Sequence, residues 1–194
     1  NIWMHSEFLT IDGGKMSKSL GNLYTVEDLV EKGYDPLVYR YFVLGAHYRT
    51  KLNFTFEALD AAQNALHKLQ ELVRDWDVPD IGCAKCEERF LEVVNDDLNT
   101  PQALAVVWDL VDSDCPSSAK AASLLKFDKV LGLGLKDFIG KKLEIPVQVQ
   151  ELVEKRESVR KEKNWKESDN LRDEIEKMGF EVEDTESGPK LRKK

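Results

Sequence analysis

Cysteine and histidine are scarce in this 194-residue chain, three of each, and the scarcity narrows the chemistry. Cys83 and Cys86 make a lone Cys-x-x-Cys, with neither a second cysteine pair nor a nearby histidine pair to complete the four ligands of a structural zinc. Cys115 stands apart, and His5, His47 and His67 are scattered. The chain is therefore expected to hold no metal, and its cysteines read as structural or incidental, in keeping with a reducing cytoplasm. No apolar run is long enough to span a bilayer, and the first residues lack the basic region and apolar stretch of a secretory signal. Excess positive charge is missing too. A net charge of −8 at pH 7 argues against whole-surface attraction to nucleic acid, while leaving room for local basic stripes. An alternating strand–helix–strand pattern that would build a dinucleotide fold is also absent. Residue 1 is Asn rather than Met, and the chain is expected to be the rear part of a longer one.

What is present is a globular composition, 42% apolar and 33% charged, with length for one or two domains. One stretch near the start carries chemistry: Asp12-Gly13-Gly14-Lys15-Met16-Ser17-Lys18-Ser19-Leu20-Gly21-Asn22. Glycines let backbone N–H groups converge on an anion, and Lys15 and Lys18 add cations on flexible stems. Taken alone, the run reads rather as a solvated Gly/Ser/Lys surface loop.

Helical periodicity fills most of the remainder. Thr25 followed by Asp28 predicts a capped short helix, and Asp35-Pro36 opens another whose stripe is Leu37, Val38, Tyr41, Phe42 and Leu44. Thr50 to Phe54 reads as a connector. Leu59, Ala62, Leu66, Leu69 and Val73 predict a long helix from Thr55 to about Trp76. Three further helices are expected: over Glu87–Val94 with Phe90, Leu91 and Val94 inward, after Asn99-Thr100-Pro101 with Leu104, Val107, Trp108 and Val111 inward, and from Pro116-Ser117-Ser118 to about Leu131. Together these predict an antiparallel helical bundle. Gly132 to Pro146 reads as a linker. Beyond it, two charged helices, Val147–Lys163 and Trp165 to about Met178, precede a hairpin of Phe180–Glu183 and Pro189–Lys194. The tail is expected to lean on a partner surface, because it is small. The fold class is thus mainly α with a small C-terminal α+β module, divided as 1–50, 51–140 and 141–194.

Lys15-Met16-Ser17-Lys18-Ser19 matches the KMSKS signature of class I aminoacyl-tRNA synthetases letter for letter. Around it stand Trp3-Met4-His5, Leu20-Gly21-Asn22, Tyr34-Asp35-Pro36, Arg40-Tyr41-Phe42, His47-Tyr48-Arg49 and Leu52-Asn53-Phe54, then Asp96-Asp97-Leu98-Asn99-Thr100-Pro101 and Lys163-Asn164-Trp165 through Gly179. This series resembles cysteinyl-tRNA synthetases over nearly the whole chain. The resemblance implies activation of cysteine with ATP and its transfer to tRNA(Cys), by a cytoplasmic and monomeric enzyme. It implies that Lys15, Met16, Ser17, Lys18 and Ser19 bind the ATP phosphates, with Lys18 on the leaving pyrophosphate and Lys15 positioning the loop. A lysine aimed where charge develops stabilises the transition state more than the ground state, worth ~3–4 kcal/mol.

The resemblance further implies that residues 1–50 are the edge of the catalytic domain and 141–194 an anticodon-binding module. Arg40, His47, Tyr48, Arg49 and Lys51 are candidates for tRNA phosphates, with helix packing as the competing role for Arg40 and Tyr48. Arg160, Trp165, Asp169 and Asp184 fall on positions resembling anticodon contacts. Trp165 can stack a base, and carboxylates can accept from base edges. Its alternative is a hydrophobic plug at a helix start. The last strand departs from the family's Gly-Thr-x-Trp-Arg: here it is Gly188-Pro189-Lys190-Leu191-Arg192, so Leu191 cannot stack, while Arg192 keeps a basic strip for phosphates. A His-x-Gly-His segment is missing from the chain, and the zinc that selects cysteine is expected upstream rather than at Cys83 and Cys86. The 194 residues alone are expected not to activate cysteine. Two other readings remain: a mycothiol-pathway cysteine ligase, which would have no use for an anticodon module, and a non-catalytic tRNA-binding or helical interaction protein.

Overall fold

The structure is a computed structural model that describes residues 3–17, 19, 21–185 and 188–193. The chain divides into two compact units, 1–141 and 142–194, and each is built around its own core.

The first unit begins with strands β1 (Leu9–Ile11) and β2 (Gly14–Lys15), paired antiparallel with Ile11 opposite Gly14. The two residues between them, Asp12 and Gly13, both have positive φ, 48° and 74°. That is the turn whose twist matches a tight hairpin, and Asp-Gly tolerates it best. Helix α1 (Val26–Glu31) starts with the expected capping box between Thr25 and Asp28. Helix α2 (Pro36–Leu44) has Asp35 as N-cap and Pro36 in its first turn.

The segment read as a connector contains a strand, β3 (Leu52–Phe54), parallel to β1 with Thr10 opposite Asn53. The sheet order is β2-β1-β3, so α1 and α2 lie within a strand–helix–strand crossover. The sequence pattern missed it because three-residue strands are too short to show alternation.

Helix α3 (Phe56–Arg74) buries Leu59, Ala62, Leu66, Leu69 and Val73, as its periodicity predicts. It is followed by α4 (Ala84–Asn95), α5 (Thr100–Asp112) and α6 (Ser117–Leu131). Helix α2 packs on α3 and α5, and α4, α5 and α6 pack on one another. Phe90 on α4 stacks on Phe127 of α6 with centroids 4.0 Å apart, and Trp108 Nε1 donates to Tyr41 Oη across α5 and α2 at 3.0 Å. Leu91 corrects the expected inward set: it is 57% exposed, and Phe90 is the buried position of its helix.

The expected linker from Gly132 is also corrected. Leu133 and Leu135 are fully buried, because the Asp128 carboxylate accepts from both of their backbone N–H groups and folds the chain back under α6. Gly132 ends α6 in the left-handed conformation, and a Cβ there would meet the Arg40 guanidinium at 2.8 Å. The residues of 1–50 and the bundle share one hydrophobic core.

The second unit comprises α7 (Val147–Lys161), α8 (Trp165–Lys177), β4 (Phe180–Thr185) and β5 (Gly188–Lys193). Its residues form a hydrophobic cluster of their own. Val149, Ile175, Phe180 and Val182 are buried together, with Leu143, Ile145, Leu152, Val153 and Leu191 packed around them. Val182 is opposite Leu191 and Asp184 opposite Pro189 in the hairpin. Leu191, the departure from the tryptophan pattern, therefore serves this core.

Candidate functional site

The glycine–lysine loop grows directly out of the β1–β2 hairpin. Asn53 on β3 holds the turn, its Oδ1 accepting from Gly13 N at 2.7 Å and from Thr10 Oγ1 at 3.0 Å. Lys15 ends β2 and is exposed. Met16 turns inward and, with Ile11, Tyr24 and Leu29, lines a small cavity against the core. Asn22 closes the loop on itself: its Oδ1 accepts from Ser17 N at 2.8 Å, and its Nδ2 donates to Lys15 O at 3.1 Å. The hydroxyls of Ser17 and Ser19 lie 2.7 Å apart, and Ser17 Oγ accepts from Ser19 N at 3.2 Å. The result is an anchored methionine flanked by a cation and two outward hydroxyls, a donor set suited to an anion. Lys18 lies outside the described residues.

Met16 thus differs from its expected partners: it points to the core and holds the loop, while Lys15, Ser17 and Ser19 present polar atoms. Asn22 and Asn53 are residues whose roles the sequence did not reveal. Asn closing a Gly-containing turn is a weak signal, and the Asn53 contact spans forty residues of chain.

A second cluster surrounds Asp97. Tyr48 Oη donates to Asp97 Oδ1 at 2.6 Å, Arg49 lies 3.2 Å from the same carboxylate, and His47 Nε2 is 2.9 Å from the Asp97 carbonyl oxygen. Asp97 and Leu98 both have positive φ, 53° and 55°, an uncommon pair for residues with side chains. Those contacts hold it in place. Arg40 Nε donates to the carbonyl of Leu131 at the end of α6. For Arg40 and Tyr48 the observed partners are therefore internal ones.

In the second unit, strand alternation puts Asp184 on the face of β4 that carries Phe180 and Val182, toward the core. There it meets Arg156 in a two-pronged pair, Nη1 to Oδ1 at 2.8 Å and Nη2 to Oδ2 at 3.0 Å, and Arg160 also donates to it. The Arg156 side chain is only 3% exposed. These guanidiniums hold the Asp184 carboxyl down at about 2. Asp184 in turn pushes Arg156 upward, against the cost of its burial, and Asp169 adds to the field there. Arg160, Asp169 and Asp184 thus share one electrostatic neighbourhood, organised by a residue the sequence reading passed over. Its signal was available: Arg156 is one helical turn before Arg160 on the same face.

Trp165 opens α8 immediately after its N-cap Asn164. It is 59% exposed, so it is no hydrophobic plug. Asp169, one turn on, is also exposed. The backbone of Arg192 pairs with Glu181; its side chain lies outside the described set. The expected loop residues and the candidates for tRNA phosphates belong to the first unit, and the expected anticodon contacts to the second.

The cysteines are closer than their spacing suggests. The structure joins Cys83 to Cys115, across 32 residues, and places Cys86 Sγ 3.4 Å from Cys83 Sγ. Cys115 does not stand apart in space. Among the described residues no helix is long and apolar enough to cross a membrane.

Comparison with known proteins follows the same division. Residues 1–64 match the family described as the class I (C) tRNA synthetase catalytic domain, 89–113 the DALR domain, and 143–192 the cysteinyl-tRNA ligase anticodon binding domain. The chain is 46% identical over 194 residues to "Cysteine--tRNA ligase 1" of Burkholderia lata, covering 98% of this chain and 41% of that protein. It is 39% identical over 214 residues to the cysteine--tRNA ligase of Protochlamydia amoebophila, covering 100% and 44%. To that of Chlamydia abortus it is 40% identical over 211 residues, covering 98% and 44%. The chain spans less than half the length of these relatives. On these matches, which together extend over nearly the whole of it, the chain belongs to the cysteinyl-tRNA synthetase family.

Proposed function

We propose that this chain supplies the KMSKS loop and the tRNA-binding half of a cysteine--tRNA ligase, which activates cysteine with ATP and transfers it to tRNA(Cys) in the cytoplasm as a monomer. In this reading Lys15 and the hydroxyls of Ser17 and Ser19 bind the ATP phosphates, and Lys18 stabilises charge gathering on the departing pyrophosphate. Met16 and Asn22 position the loop. The zinc that selects cysteine belongs to residues that precede this stretch in the complete enzyme. The match of residues 143–192 to an anticodon-binding domain disfavours the mycothiol-ligase reading, and the match of residues 1–64 to a catalytic domain disfavours the non-catalytic one.

The observation that carries the RNA part is the largely exposed Trp165 ring, five residues from an arginine already engaged with Asp184. Stacking on an unpaired base is the interaction such a ring offers. Arg160, Asp169, Asp184 and Arg192 complete the proposed contact set, with Asp184 also holding Arg160 in place. The test is fluorescence-anisotropy titration of a labelled anticodon stem-loop of tRNA(Cys), against a stem-loop with a scrambled anticodon. The chain is expected to prefer the native loop, and Trp165→Ala to weaken it by about 1–3 kcal/mol, roughly five- to 150-fold. Equal binding of both RNAs, or an unaffected variant, refutes the anticodon assignment.

A further inference from the structure

We propose that Cys83, Cys86 and Cys115, when reduced, form a three-thiolate site for one thiophilic divalent cation, zinc foremost. The expectation that this chain holds no metal rested on a lone Cys-x-x-Cys, and the third sulfur removes that ground. All three Sγ atoms lie within 4.8 Å of one another, and each cysteine is half-buried. A tetrahedral zinc with Zn–S bonds near 2.3 Å separates its sulfurs by about 3.8 Å. The observed span therefore needs only small side-chain adjustments.

The scaffold favours such a site. Cys83 is the N-cap of α4 and Cys86 its third residue, so both sulfurs emerge from one helical turn, while Cys115 comes from the α5–α6 connection. No side chain caps α4; a sulfur occupies the place where an oxygen ordinarily accepts. Outer contacts orient the first ligand. Ser123 Oγ accepts from Cys83 N at 2.7 Å and donates to Glu87 Oε1 at 2.9 Å, and Lys126 Nζ holds Glu87 Oε2 at 2.6 Å. Glu87 is thereby engaged as a supporting residue, which leaves the fourth metal position to water. Binding releases the thiol protons as the sulfur–metal bonds form. The Cys83–Cys115 disulfide uses two of the same sulfurs, so disulfide and metal exclude each other, and the metal ties α4 to the α5–α6 connection in the reduced chain.

The test uses the 194-residue chain, reduced and handled without oxygen, titrated with Co²⁺ and then competed with Zn²⁺. We expect thiolate-to-cobalt charge-transfer absorption with the visible bands of a tetrahedral ion, saturating at one equivalent and bleached by zinc. Cys83→Ser, Cys86→Ser and Cys115→Ser should each weaken binding by more than about a hundredfold, and Ser123→Ala by about tenfold, as for an outer partner. Zinc should also shield all three thiols of the wild-type chain from iodoacetamide, read by mass spectrometry, and raise its thermal midpoint. Circular dichroism checks that each variant is helical; should one not fold, thiol protection in the wild type still decides. Absence of the cobalt spectrum, binding unchanged in Cys115→Ser, or thiols alkylated equally with and without zinc overturns the site.

Discussion

Asp184→Asn perturbs the second unit at its most charged point. The Asp184 carboxyl sits at about 2, against an ordinary 3.8, because Arg156 and then Arg160 donate to it. That difference sets an upper limit of about 2.5 kcal/mol, at ~1.4 kcal/mol per pH unit. Since 45% of the Asp184 side chain is exposed, solvent screening reduces the carboxylate's share to about 1 kcal/mol. The Arg156 guanidinium, only 3% exposed, adds a second cost. Its Nε already has no hydrogen-bond partner among the described residues. Removing its principal carboxylate leaves a buried charge with Glu157 at 3.5 Å as its nearest remaining anion. Breaking a wholly buried pair costs ~3–5 kcal/mol, and here Asn keeps an acceptor, so about 2 kcal/mol is expected.

The assay is amide hydrogen exchange on the full chain, read by mass spectrometry. Peptides from β4 and β5 should lose about thirtyfold in protection, while α3 in the first unit stays unchanged as an internal reference. The pH dependence has a defined sign. A carboxyl held low in the folded chain stabilises fully above its unfolded value near 4 and loses that contribution as pH falls through about 2. The added protection of β4 should therefore fade between those limits, and be absent from the Asn variant throughout. Protection within twofold of wild type, or an Asp184 carboxyl titrating near 3.8 by carbon NMR, refutes the reasoning.

Two further perturbations probe the first unit. Joined to the preceding residues of the Burkholderia lata relative, the chain should support cysteine-dependent pyrophosphate exchange. There Lys18→Ala should slow exchange by a hundredfold or more and Asn22→Ala by about tenfold, through the two loop bonds at Ser17 and Lys15; an unaffected rate in both refutes the loop assignment. Phe127→Ala removes a fully buried ring stacked on Phe90 and should destabilise the bundle by ~3–5 kcal/mol in urea unfolding; a loss under 1 kcal/mol would mean the two helices repack.

Helices were the most legible part of the chain. Thr25 with Asp28, Asp35 with Pro36, and the run from Leu59 to Val73 act within a few residues of themselves, so periodicity and capping suffice to place them. The loop was legible as a motif, and its surroundings supplied the family. The features that the sequence pattern missed turn on partners outside the helical repeat, from five residues away, Asp128 to Leu133, to 43, Thr10 to Asn53. Strand β3 exists because β1 pairs with it, Leu133 and Leu135 are buried because Asp128 draws them in, and Arg156 matters because a strand 28 residues later brings Asp184 to it.

Local pattern therefore specified the helices, their caps and the chemistry of the Lys15–Asn22 loop, since those depend on neighbouring residues and a 3.6-residue repeat. Tertiary packing alone decided which polar groups meet: Tyr48 with Asp97, Arg156 with Asp184, and Cys115 with Cys83 and Cys86. Side-chain hydrogen bonds and sulfur contacts reach only a few ångströms, and composition carries no record of which distant segments will be brought within that reach.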